Sequence, residues 1–389
     1  MRINMGANYS ESQNLTSEQQ EVYDRNIVPP TWMYVLIFFH CIVFIVGLFG
    51  NVLVCVAVYR NHSMRTVTNY FIVNLALADA LVILFCLPFS VVWDVTSTWW
   101  FGTAMCKFVL NMQNVSVTVS ILTLTFISID RWYAICYPLT FRSTTAKAKT
   151  AICLIWIISF VYEIPETIYL VAKQHNGYDI YFTQCIATWG DYIDTIFMIS
   201  RMVLCYFLPL ILMSIAYFQI IKILWRSDNE QHQAGVSGSY RSGQSGNTFS
   251  MNMNTTTEGQ LRSRRKAAKM LVAVVAMFAF CFFPIHLLNI LRLTVELSHT
   301  EFNRAISLVI HWLCYANSAV NPIIYNFMSG KFRQEFKSAF FQCRQVNRSD
   351  RHLTRNSTYI YRYTTNTRNS SKSKTEIIPL ANVKQLDEN

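Results

Sequence analysis

Residues 67–92 read VTNYFIVNLALADALVILFCLPFSVV, a nearly unbroken apolar run with one carboxylate, Asp79, near its middle. A membrane-crossing helix needs roughly 20 apolar residues, and this run supplies them. Six more lie at about 33–59, 104–136, 148–170, 193–224, 267–293 and 305–328. The fold class that follows is all-α: a seven-transmembrane helix bundle, with a short amphipathic helix on the membrane surface after the seventh span. The third and fifth runs exceed what a bilayer requires and are expected to tilt or to project from it.

Composition agrees. Of 389 residues 52% are hydrophobic and only 14% charged, about half the usual charged share of a soluble domain. The net charge of +11 would raise nucleic acid as a partner in a soluble protein. Here the basic residues flank the apolar runs, so membrane orientation explains them without nucleic acid. Arg60 and Arg65 follow run one; Arg142, Lys147 and Lys149 follow run three. Lys222, Arg226, Arg262, Arg264, Arg265 and Lys266 follow run five; Lys331, Arg333 and Lys337 follow run seven. The other side carries Asp94, Asp179, Asp191, Asp194, Glu296 and Glu301. This asymmetry puts the N-terminus outside and the C-terminus in the cytosol of a multi-pass plasma-membrane protein.

The chain divides accordingly. Residues 1–32 form an extracellular tail, polar and without the apolar core of a cleavable leader; its sequons at Asn8 and Asn14 fit glycosylation outside. Residues 33–341 form the membrane domain. Within it, about 227–262 is rich in Ser, Gly, Asn, Gln and Thr and is expected to be a disordered cytosolic loop. Lys331 to Phe341 alternates basic and aromatic residues at helical spacing, as a helix on the inner leaflet would. Cys343 beyond it is either a palmitoylation site or an ordinary thiol. Residues 342–389 form a disordered tail whose Ser, Thr and Tyr sit among basic residues, suited to phosphorylation. Of eleven cysteines most lie inside apolar runs as small hydrophobes. Cys106 and Cys185 have outward addresses and are natural disulfide partners.

The membrane makes polar side chains informative. A carboxylate in mid-bilayer costs roughly 2.5–3.5 kcal/mol or more, so Asp79 requires an offset. Asn51, Ser120, Asn317 and Asn321 are the candidates, and the last two share a helix face. The set is either a site for a cation such as sodium with waters, or a packing network. Prolines at 88, 165, 209, 284 and 322 break backbone hydrogen bonds and give helices places to bend. Asp130-Arg131 at the end of run three pairs an acid with a base, as an inward latch or as an interfacial ion pair of small value.

Together these residues resemble the class A, rhodopsin-like, G-protein-coupled receptors. The matching residues are Gly50-Asn51, the Leu75–Asp79 stretch, Cys106, Asp130-Arg131-Trp132, Trp156, Cys185, Pro209 with Tyr217, Phe278 with Cys281 to Pro284, and Asn321-Pro322 to Tyr325. They occur in every run and in the right order. Within that class the chain is most similar to the orexin and allatotropin neuropeptide receptors, through HWLCYANSAVNPIIYNFMSGKFR at 311–333, VSVTVS at 115–120 and DRWYAIC at 130–136. The resemblance covers roughly 33–341.

It implies an outer-half ligand pocket that includes Gln113, Asn289, His311 and Tyr315, with Asp94 at the outer side. It implies an activation route through Phe282 and Phe278, a swing about Pro284, and release of Arg131 from Asp130 to form a cleft with Tyr217 and Tyr325. Pro138 and Leu139 resemble the apolar knob that docks on the heterotrimeric G protein. Receptor kinases and arrestin are implied partners, and phospholipase C with calcium is the implied output. The chain departs from the pattern at three places. Phe282 stands where tryptophan is common. Glu166 replaces a neutral amide, and Arg201 replaces an aromatic. A glutamate and an arginine on neighbouring membrane helices suggest a charge pair at the pocket wall, or two groups that read a charged ligand.

Other classes fit less well. A transporter or channel would show an internal repeat or a line of charges. A retinal-based light sensor would need a lysine in run seven, where Tyr315 stands in the likeliest place for one. An amine receptor would want a carboxylate where Gln113 lies. No nucleophile, base and oxyanion set is present to suggest an enzyme.

Overall fold

The computed structural model describes residues 30–138, 143–174, 183–239, 248–294 and 300–339, with side chains for all of these except 227–239, 248–263 and 301. Asn8, Asn14, Leu139, Cys343 and the C-terminal tail lie outside the described residues. The helices are α1 (Thr31–Arg60), α2 (Val67–Phe85), α3 (Leu87–Thr96), α4 (Gly102–Cys136), α5 (Thr145–Tyr169), α6 (Asp191–Met202), α7 (Leu208–Ser239), α8 (Thr248–Thr294) and α9 (Glu301–Met328). Strands β1 (Leu170–Gln174) and β2 (Thr183–Ala187) form an antiparallel hairpin between α5 and α6, with Ala172 opposite Cys185.

Six described segments are long and apolar enough to cross a membrane: α1, α2, α4, α5, the continuous stretch Asp191–Arg226, and Arg264–Thr294 of α8. The most apolar 18-residue stretch of α1 has a mean hydropathy of 2.8. Phe38, Ile45, Phe49, Ile157, Val161, Ile211, Ile215, Phe218 and Phe280 stand exposed on these helices. So many large apolar side chains facing outward are a liability in water and a match to lipid, where only fully hydrogen-bonded elements such as helices are tolerated. Thr66, Thr144 and Thr300 start α2, α5 and α9 by accepting from the backbone N–H three residues on, which offsets orphan donors at the helix ends.

Prolines act differently at each site. Run two divides into two helices at Cys86, because Pro88 can begin a helix but not continue one. Before Pro209 the chain makes a π-turn, Val203–Phe207, in which Leu208 N–H reaches Val203 O. The wider turn moves the Cys205 carbonyl away from the proline ring, which would otherwise clash with it. Pro165, Pro284 and Pro322 lie inside helices that continue through them. Where composition points to a loop at about 227–262, α7 continues to Ser239 and α8 begins at Thr248. Extending an established helix avoids the nucleation cost that makes isolated polar helices marginal.

α4 occupies the middle, beside α2, α5, α7 and α8, while α9 lies against α1, α2 and α8. Asn74 ties three helices: its amide donates to Thr123 Oγ1 on α4 (2.8 Å) and accepts from Trp156 Nε1 on α5 (2.8 Å). The α1–α9 approach depends on glycine. A Cβ at Gly50 would lie 2.9 Å from Pro322 Cβ and 3.0 Å from Cγ, and a proline ring cannot rotate away. Gly50→Ala is therefore expected to cost about 1–3 kcal/mol, the usual penalty of overpacking. This should appear as a lower melting temperature of the detergent-solubilised protein; unchanged melting would mean that the helices are not so close.

One end of the bundle is closed by a covalent and hydrogen-bonded lid. Cys106 at the start of α4 and Cys185 on β2 form a disulfide with Cα atoms 5.6 Å apart. Trp99 N–H donates to Thr183 O (2.7 Å) and its indole to Gly102 O (2.8 Å). Ser97 adopts the left-handed conformation, φ 52°, uncommon for a residue with a Cβ. It is held there by Arg304 donating to its hydroxyl and Gln184 donating to its carbonyl, each at 2.7 Å.

Candidate functional site

A cavity of about 160 Å³ opens between α4, α6, α8 and α9 and reaches α2. Gln113 and Asn114 line it from α4, Arg201 from α6, His286 and Asn289 from α8, and Tyr315 from α9; Phe278 and Phe282 form its apolar wall, and Asp79, Ser120 and Asn317 lie deeper. The Tyr315 hydroxyl stands 2.7 Å from Ser90 Oγ and 2.9 Å from Gln113 Oε1, joining α3, α4 and α9. The Phe278 and Phe282 rings lie 4.6 Å apart, centre to centre. Gln113, Asn289, Tyr315 and Arg201 thus meet at one cavity. His311, Asp94 and Glu166 are not among its lining residues. His311 Nδ1 instead faces Asp94 Oδ1 at 3.3 Å, across α9 and α3.

Arg201 sits two residues before the π-turn and donates through Nη2 to two carboxylates on α5, Glu163 Oε2 at 2.7 Å and Glu166 Oε2 at 2.6 Å. Asn114 adds an amide hydrogen bond to Glu166 Oε2 at 2.8 Å. The Glu163 side chain is 1% exposed and that of Glu166 16%. Sequence reading found Glu166 and Arg201 but missed Glu163, although its place three residues earlier puts it on the same helix face. His286 was missed as well. It lies 4.4 Å from the Tyr206 ring, and one helical turn beyond Phe282 was the only signal for it.

Asp79 is 2% exposed. Ser318 Oγ donates to its Oδ1 and Asn321 Nδ2 to its Oδ2, both at 2.8 Å. Asn51 does not touch it directly; its amide donates to Ser318 O (2.8 Å) and Gly47 O (2.9 Å). Ser120 and Asn317 share the cavity wall with Asp79. Three buried amide oxygens, Oδ1 of Asn51, Asn317 and Asn321, have no hydrogen-bond partner among the described residues. Ser318 escaped sequence reading because the face it occupies depends on how far α9 is rotated.

At the far end of α4, Arg131 donates from Nε (3.1 Å) and Nη2 to Asp130 Oδ2. Tyr217 on α7 lies 3.1 Å from Ser128 Oγ. Tyr325 is buried and stacks on Phe332 with centroids 5.6 Å apart. Pro138 is exposed just past α4.

A lipid-facing helical bundle, closed at one end by a disulfide and hollowed by a mainly apolar cavity with a few polar groups, is the architecture of a multi-pass membrane receptor. Residues 50–325 match the model of the 7 transmembrane receptor (rhodopsin family). The match spans well over half of the chain, and the protein belongs to that family. Its members are receptors and not enzymes; they take a ligand and signal through G proteins.

Proposed function

We propose that this receptor answers an extracellular neuropeptide, amidated and of the orexin or allatotropin kind, and signals through phospholipase C and calcium. The observation that carries the reading is the cavity. It is lined by neutral hydrogen-bonding groups, Gln113, Asn289 and Tyr315, where an amine ligand would need an unpaired carboxylate. Its size admits the end of a peptide and not a whole one. In this reading α9 is the seventh crossing, the disulfide end faces outside, and the helical residues 330–339 lie on the inner leaflet of the plasma membrane. His311 and Asp94 then stand paired on the outer side, able to meet the remainder of the peptide.

The route inward is α4. Gln113 and Arg131 lie on this one uninterrupted helix, ~27 Å apart at 1.5 Å per residue. Agonist contacts bias the Phe278–Phe282 pair, α8 swings about Pro284, and Arg131 leaves Asp130 to form a cleft with Tyr217 and Tyr325. A G-protein helix fills the cleft, with Pro138 and Leu139 docking beside it. The agonist works by binding the open state more tightly, and by reciprocity the G protein raises agonist affinity. Receptor kinases and arrestin end the signal at the tail. A cation such as sodium at Asp79 belongs to the closed state. The unpartnered oxygen of Asn317, beside Asp79 and the Ser120 hydroxyl, suits a hard cation that takes oxygen ligands.

The test is calcium release from cells expressing the chain, challenged with a panel of amidated neuropeptides. At least one orexin- or allatotropin-type peptide is expected to raise calcium, through phospholipase C, and Gln113→Ala to weaken it. A receptor present at the surface yet silent to the whole panel would defeat the reading.

A further inference from the structure

Pro284 is a place where α8 can bend, yet the helix runs through it unbroken. A proline in mid-helix has no N–H to give and crowds the carbonyl four residues back, so the turn between Phe280 and Pro284 is the weak one. Tyr206 reaches both sides of that turn. It belongs to the π-turn before Pro209, a kind of turn often found at functional sites. It is buried, on the face that α7 continues with Met213, Tyr217 and Ile220. Its hydroxyl donates to Ala279 O at 2.8 Å, on the N-terminal side of the proline. Its ring lies 4.4 Å from that of His286, tilted by 36°, on the C-terminal side.

The two contacts span residues 279 to 286, ~10 Å of helix at 1.5 Å per residue. A swing about Pro284 moves Ala279 against His286, so one contact with Tyr206 must give. The hydrogen bond is the one that gives, because it weakens steeply with distance and angle, while a ring contact tolerates offset and tilt. A buried hydroxyl that loses its acceptor then costs free energy, which favours the closed form. The ligand can reach this arrangement through His286, which lines the cavity beside Phe282 and Ile285. Tyr206 is not among the lining residues; it stands behind His286. We infer that Tyr206 is a positioning residue, a brace across the Pro284 hinge that holds the two halves of α8 in the closed arrangement until a ligand moves His286. The inference rests on the swing about Pro284 proposed above and names the side chain that restrains it.

The measurement is nucleotide exchange on purified heterotrimeric G proteins by receptor-bearing membranes, without ligand and counted per epitope-tagged receptor. Tyr206→Phe keeps the ring against His286 and removes only the hydroxyl. Basal exchange is expected to rise ~2- to 10-fold, the change in population that follows loss of one hydrogen bond. His286→Ala removes the other foot of the brace and is expected to raise basal exchange as well. With one foot gone the other bridges nothing, so the double variant should exceed the larger single effect by little. Adding Pro284→Ala to Tyr206→Phe should abolish the gain. A purely structural tyrosine would lower the number of receptors and leave exchange per receptor unchanged. Basal exchange unchanged in Tyr206→Phe, or two single effects that simply multiply, overturns the inference alone. A gain that survives Pro284→Ala overturns the hinge and the inference with it. No peptide enters the assay, so a silent neuropeptide panel leaves its answer intact.

Discussion

Arg201→Leu is expected to remove most of the receptor from the cell surface. The substitution takes away the one cation that Glu163 and Glu166 share. Their side chains are 1% and 16% exposed, too little for water to replace it, and Asn114 supplies a single hydrogen bond to Glu166 alone. Breaking a buried pair from one side costs about 3–5 kcal/mol, against a total stability of about 5–15 kcal/mol for a typical domain. The discriminating variant adds Glu163→Gln and Glu166→Gln to Arg201→Leu. With no charge left to compensate, the triple variant should regain much of the surface level, because a neutral set is often no less stable than a buried ion pair. Surface counts of an epitope-tagged receptor and its melting in detergent give the two readouts. Arg201→Leu at wild-type level, or a triple variant no better than the single one, would show that the cluster does not hold α5 to α6.

How much of this was legible beforehand varies by residue, for physical reasons. Spans were plain because lipid demands long apolar helices, and Pro88 and the cysteines carry their own geometry. The π-turn before Pro209 was not, since a proline in an apolar run is equally compatible with a straight helix, as at Pro165. Glu163 was legible through its spacing from Glu166 and went unread because the resemblance drew attention to the position that departs from it. Ser318 was a different matter. Periodicity places Asn317 and Asn321 on one face, but Ser318 and Asn321 also lie a turn apart. Which pair meets Asp79 is decided by the rotation of α9. Its close approach to Gly47 and Gly50 of α1 fixes that rotation, a tertiary fact that no local pattern contains. Polar continuation of α7 past Arg226 belongs to the same kind, a composition unable to start a helix but able to extend one.

That rotation is why Asn321 carries the second large effect. Asn321→Ala and Asp79→Ala are each expected to lower agonist-driven nucleotide exchange by at least ~10-fold. Each leaves the other partner buried and short of a hydrogen bond, and a bond to a charged group is worth about 1.5–3 kcal/mol. Alanine alone cannot separate this from a cavity, so the deciding variant is the exchange Asp79→Asn with Asn321→Asp. It moves the carboxylate from α2 to α9 and keeps the donor facing the acceptor, 2.8 Å apart in the native arrangement. Ser318, which donates to residue 79, can donate equally to an asparagine carbonyl. A double-mutant cycle built on Asp79→Asn, Asn321→Asp and their combination then isolates the bond between the two helices from the chemistry of either side chain. Asn321→Asp alone sets two carboxylates together and should be the worst of the three; the exchange should recover most of the wild-type rate of GTP uptake in membranes. If it is no better than the product of its two singles, the link between α2 and α9 is packing, and the buried carboxylate matters only as a charge at that depth.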